Sequence, residues 1–256
     1  MATADYLDLE AHNNTISTTN NGTVAITTTG NDEVLLLLIG AEQTSGPTIS
    51  VVSVTDTAGL TWAKRKSATL VSGSQQLAGE VWWAHMPTAG ATTVTVTFSE
   101  VIDDACLLVA AIKGVLDPTD PWVSSSVGVV LTDWPESVGN TVGVSRTTYG
   151  SSSGTMSGTV GSVNAIPLAF AMAVNVQTFD LYATGFTAIQ AVNNTGGISA
   201  CRIAMSFNEY TTELQAETVV SAKPAANAMW FIDAMKISTG PPIPTQANRK
   251  YGTIIA

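Results

Sequence analysis

The sequence predicts an all-β protein: an antiparallel, jelly-roll-like β-sandwich built from two similar halves, with an extended C-terminal tail. Three observations carry this. Only 12% of the residues are charged while 45% are hydrophobic. The surface must therefore be covered mainly by Ser, Thr, Asn and Gly, which are poor helix formers because their side chains compete for backbone hydrogen bonds. Apolar runs of strand length are separated by turns that carry Gly, Pro, Asp or Asn. Finally, the order of those runs occurs twice.

The first half is expected over residues 22–114, after an N-terminal arm at 1–21. Thr23 to Thr29 alternates, and EVLLLLIG (33–40) is wholly apolar after its first residue. ISVVSVTD (49–56) follows, with two adjacent valines that shift the alternation and predict a β-bulge. GEVWWAHM (79–86) comes next. In TTVTVTFS (92–99), Val94, Val96 and Phe98 face one way and the threonines the other. ACLLVAAIKG (105–114) completes the half.

A connector rich in Pro, Gly and Ser spans 115–153, with short strands expected around Val127–Leu131 and Val142–Ser145. The second half, 154–238, repeats the order. GTMSGTVGSVNAIPLAFAMAV matches the 22–40 stretch, and YATGFTAIQA matches the VTDTAGLTW turn, with Phe186 near the place of Trp62. CRIAMSFN stands where the double-Trp strand stood, with Cys201, Ile203, Met205 and Phe207 on one face. ETVVSAKPAANAMWFIDAMKIS parallels residues 92–114, down to an apolar-Lys ending in each. Two domains and one fused sandwich both fit this repeat. The tail, 239–256, contains Pro241, Pro242 and Pro244, which preclude a central strand or helix.

A sandwich sheet that wets one face gives alternation. Four runs do not alternate: Val34–Ile39, Ala105–Ile112, Ile166–Val174 and Ala228–Ala234. Both faces of those strands are expected to be covered, by the other half, the connector or another subunit. Trp82 and Trp83 make the point locally, because neighbours on a strand project to opposite faces. A buried Trp removes roughly 200 Å² from water, worth several kcal/mol at about 25 cal/mol per Å². Trp82, Trp83 and Trp62, with Tyr251, Ile254 and Ile255 of the tail, are the expected interface residues. Trp122 and Trp134 lie in PW and DWP loops, where an aromatic either pins the connector or stacks on a sugar ring.

Motifs for other chemistry are sparse. His12 and His85 are the two histidines, and neither has a motif around it. GSSSG (150–154) matches the nucleophile elbow only in letters, since that motif needs a strand before it and a helix after it. Asp103-Asp104 and the Asp117/Asp120 pair are candidates for glycoside cleavage or Ca²⁺ ligation, yet each sits at a turn, where Asp is favoured anyway. Cys106 and Cys201 read as buried thiols or as a disulfide; a count of two decides nothing, and no zinc spacing exists. No catalytic residue, metal or cofactor is expected.

The net charge of −10 disfavours nucleic acid as a partner. Lys64-Arg65-Lys66, the one basic run of three, is expected as a solvated strand end. No apolar run reaches the length of a membrane span, and MATADYLDLEAHNN carries acids where a signal peptide carries positive charge.

VTDTAGLTW, GEVWWA, TAGATTVTVTFS and ACLLVAAIKG together resemble β-sandwich or jelly-roll proteins of tailed-phage particles, over residues 22–238. The resemblance implies a non-enzymatic virion component of the capsid decoration or cement type, often trimeric. It also implies contacts with copies of itself and with a major capsid protein or other virion proteins. The rival expectation is a carbohydrate- or receptor-binding module of a tail or fibre, with Trp122 and Trp134 as sugar contacts.

Overall fold

The computed structural model describes residues 7–72, 74–122, 130–132, 144–147, 153–159, 165–174, 187–194, 201–207, 216–222 and 228–237. These form antiparallel strands stacked as a β-sandwich, with no helix among the described residues. In chain order the strands are β1 (Leu7–Thr27), β2 (Glu33–Gln43), β3 (Val51–Asp56), β4 (Ala63–Ser72), β5 (Gln75–Met86) and β6 (Ala91–Ile112). Then come β7 (Val130–Thr132), β8 (Val144–Thr147), β9 (Ser153–Thr159), β10 (Ala165–Val174), β11 (Thr187–Asn193), β12 (Cys201–Phe207), β13 (Ala216–Ala222) and β14 (Ala228–Lys236).

The first sheet runs β1-β6-β2-β5-β4, with β3 also paired to β6. The second runs β8-β14-β10-β12-β11. Read from the strand that holds each half's first central apolar run (β2, β10), the two sheets have the same pattern of neighbours. A third, β13-β9-β7, pairs β9 with β13 much as the later part of β1 pairs with the start of β6.

Two expectations change in detail. The stretch 1–21, expected as an arm, is part of β1 from Leu7 onward, because β6 offers it a ladder as far as Ile112. The runs 92–99 and 105–114 are one long strand, β6. Its ladder with β1 breaks between Thr19/Ile102 and Asn21/Thr97, and beside the break Thr18 takes a positive φ of 53°. There both strands bend, so their outer ends fold back over the first sheet. The valine bulge appears as expected, as a register shift between Val51 and Ser53 that leaves Val52 exposed.

This bend explains how the apolar runs are covered. On β2, Val34, Leu36 and Leu38 join Cys106, Leu108, Ala110 and Ile112 in a core with Leu168, Phe170, Met172, Ile203, Met205 and Phe231 of the second sheet. The opposite face, Leu35, Leu37 and Ile39, packs with Val24, Ile26, Val51, Val54, Val94, Val96 and Phe98 from the folded-back ends. All eleven residues of β2 are buried. Of the three covers considered from sequence, the inner faces use the other half and, through Val115 and Trp122, the start of the connector. The outer face of β2 and β6 is covered by the returning ends, which were not among the three.

Candidate interaction surface

The turn that follows β3 is organised by one carboxylate. Asp56 accepts the Ala58 amide at 2.7 Å on Oδ1, and the Leu60 amide at 3.1 Å on Oδ2. The Trp62 indole N–H donates to the same Oδ2 at 2.7 Å. Gly59 takes φ 76°, a left-handed value that favours glycine. The Asp-Thr-Ala-Gly stretch thus aims and fixes Trp62, which lies half-buried at the margin of the core beneath the folded-back ends.

Trp82 is held in the same way. Its indole N–H donates to Glu80 Oε2 at 2.7 Å, and Lys64 Nζ stands 3.0 Å from that oxygen. The ammonium also lies 5.1 Å above the Trp82 ring centroid, a cation–π arrangement. Glu80 is buried and accepts the Val51 amide as well. Trp82 faces Lys64 across the β4–β5 ladder, two residues along from Trp62. Leu60, Trp62 and Trp82 pack against the same core margin as partly buried groups. Both indole N–H groups are already bonded, so the ring surfaces are what this margin offers to a partner.

Trp83 projects to the opposite face, as alternation requires, and packs against the core shared by the two sheets. It meets Trp122 edge-on, with centroids 6.3 Å apart and planes at 80°. Trp122 is 4% exposed. The chain beside it is tied down by the Lys236 amide, which donates to the Pro121 carbonyl at 2.7 Å, and by a bridge from Trp122 to Met235. Its burial takes Trp122 out of the sugar-stacking reading; it pins the start of the connector. Trp134, Tyr251, Ile254, Ile255 and Phe186 lie outside the described residues.

The basic run is a seam and not a solvated end. Arg65 lies with Cζ 4.6 Å above the Trp122 ring and binds Asp233 through Nε at 2.5 Å and Nη2 at 3.1 Å. Lys66 is buried and Lys64 is engaged by Glu80. Burial pushes the Asp233 carboxyl above its usual range, against the opposing pull of Arg65. Burial likewise lowers Lys66, with Asp233 partly restoring it. Sequence reading missed this seam because Arg65 and Asp233 are 168 residues apart.

The other polar candidates hold structure. Asp103 accepts the Thr44 amide and hydroxyl at 2.7 and 2.6 Å. Asp104, its neighbour, takes Ser17 Oγ at 2.6 Å and Asn194 Nδ2 at 3.0 Å. Asp117 caps its own turn through Thr119 and the Asp120 amide, and the Thr119 bonds hold its carboxyl below the usual range. Asp120 meets Lys236 at 2.8 Å. His85 lies 3.1 Å from Asp32, and His12 sits within β1. Residues 150–152 of GSSSG lie outside the described residues, and Ser153-Gly154 open strand β9 where the elbow would need a helix. Among the described residues no group of three His, Cys, Asp or Glu is placed to hold a metal, and no helix is long and apolar enough to cross a membrane.

No protein-family model and no curated protein matches the chain.

Proposed function

We propose that the chain is a non-enzymatic structural protein that docks onto a larger assembly. In the reading supported by its strand-and-turn motifs, that assembly is a tailed-phage virion and the role is capsid decoration. The observation that carries the docking is the margin at Trp62 and Trp82. Two large rings lie partly exposed at one margin of the sandwich, with their N–H groups fixed by Asp56 and Glu80. Aromatic rings held in place lose little freedom on binding and commonly anchor interfaces. The apolar strand faces are satisfied within the chain and have no part in this contact. Copies of the chain, a trimer first, and a major capsid protein or other virion proteins are the proposed partners.

Light scattering on the purified protein, with co-sedimentation against host-strain phage particles, tests this. Trp62→Ala and Trp82→Ala should each weaken particle binding tenfold or more while the fold is retained. Binding that is absent, or unchanged in both variants, overturns the proposal.

A second reading rests on the same margin. Ring faces beside carboxylates also suit a sugar, and a glycan array would separate the two. Glycan hits that vanish in both Trp variants, without particle binding, favour the carbohydrate-binding module.

A further inference from the structure

Cys106 on β6 and Cys201 on β12 belong to opposite halves and are 95 residues apart. Both are free and buried. The Cys106 thiol donates to the Cys201 carbonyl oxygen at 3.1 Å, which places its sulfur against the Cys201 backbone. A glycine makes the room for this. Gly40 is the ladder partner of Cys106, and a methyl group placed on Gly40 would come 3.0 Å from the Cys201 sulfur and 2.6 Å from Ile203 Cγ2. The Cys201 side chain therefore sits in the notch that Gly40 leaves, beside Cys106. Cα atoms of β12 come within 8 Å of those of β6, closer than the roughly 10 Å between stacked sheets. A disulfide spans Cα separations up to about 6.8 Å.

We propose that Cys106 and Cys201 form a disulfide that staples the two sheets together when the protein folds in a medium containing a small-molecule disulfide. The chemistry is exchange. One cysteine thiolate attacks the reagent disulfide, forming a mixed disulfide and releasing one reagent thiol. The second cysteine thiolate then attacks the mixed disulfide at the protein sulfur, closing the Cys106–Cys201 bond and releasing the other. Two protein thiols are oxidised, one reagent disulfide is reduced, and the two protons leave on the released thiols. The neighbouring Cys106 side chain and burial hold the Cys201 thiol well above its usual range, so it is a poor nucleophile once the sheets have closed. Exchange therefore belongs to the folding chain, and the finished bond is shielded from reductant. The inference stands apart from the proposed function, since it concerns how the halves are joined.

The test is to refold the full chain from denaturant with glutathione disulfide present, and in parallel with excess reductant. Intact mass, alkylation under denaturing conditions and peptide mapping are then compared. The oxidised sample should lose the mass of two hydrogen atoms, resist alkylation and give one Cys106–Cys201 peptide. It should also melt roughly 10 °C above the reduced sample, as a loop of this length implies. Two alkylatable thiols after refolding with glutathione disulfide overturn the proposal. So do glutathione adducts or intermolecular dimers alone, or an oxidised form that melts no higher than the reduced one. Cys106→Ser and Cys201→Ser should each abolish the melting difference between the two media; a difference that persists in either also overturns it.

Discussion

Arg65 and Asp233 join the two sheets of the sandwich through a two-nitrogen ion pair, at 2.5 and 3.1 Å, beneath a roof formed by the Trp122 ring. The carboxylate is almost fully buried and the guanidinium about one fifth exposed. A pair in this position contributes little over an apolar substitute, but losing one member strands a charge. Asp233→Ala should therefore lower stability by about 3 kcal/mol in urea unfolding. Replacing both residues together, Arg65→Met with Asp233→Leu, should recover most of that loss.

The same carboxylate gives a pH signature. Its folded pKa is raised by burial, so between its unfolded value of about 3.9 and the folded value the native state holds more protons than the unfolded chain. Its contribution is therefore fully present below pH of about 3.9 and is lost as pH rises through the folded pKa. Arg65 and Lys66 are the charged groups whose fields oppose the rise. Denaturant midpoints measured across mildly acidic pH should show wild type losing stability relative to Asp233→Asn as pH increases.

Trp122 and Trp62 should respond very differently to truncation. Trp122→Ala empties a site inside the shared core and should cost about 3–5 kcal/mol. Trp62→Ala removes a partly exposed ring at the core margin and should cost less, about 1–2 kcal/mol. Urea titrations of the two variants check the ranking. Equal losses would mean that the Trp62 ring is part of the core and not of its margin.

Gly40 and Gly59 separate crowding from backbone strain. Gly40→Ala drives a methyl group into Ile203 Cγ2 and the Cys201 sulfur, and should cost about 1–3 kcal/mol. Combining it with Ile203→Ala should cost less than the sum of the two single changes. At Gly59 an added Cβ meets nothing within 4 Å, but φ is 76°, so Gly59→Ala should cost about 1 kcal/mol from conformation alone. Thermal melts of the four variants, Ile203→Ala alone included, measure both effects.

Much of this architecture is written in local pattern. Adjacent tryptophans on a strand must diverge, and Trp82 and Trp83 do. Non-alternating runs need cover on both sides, and β2 has it. The shift at Val51-Val52 announces its bulge. What covers a strand is a different matter, because periodicity records that a face is apolar and not which distant segment lies on it. The folding back of β1 and β6 depends on a break in one ladder near Thr18. Asn20-Asn21-Gly22 is a turn signal there, but it does not say that the strand runs on through the bend. The basic run Lys64–Lys66 misled for a related reason. Charge predicts solvent until a carboxylate far along the chain, here Asp233, is known to face it. The Trp62 margin was legible in part: Asp-Thr-Ala-Gly marks a turn, whereas the Trp82–Glu80–Lys64 cluster needs the β4–β5 register to appear.

The core that binds the two sheets has a consequence for synthesis. Val34, Leu36 and Leu38 are sealed by Phe170, Met205, Phe231 and Met235, all made much later in translation. At roughly 5–20 residues per second, the nascent first sheet waits on the order of ten seconds with that flank wet. During that interval it is the stretch most open to a chaperone and most prone to self-association. A chain stopped at residue 114 should therefore collect in inclusion bodies while the full chain stays in solution.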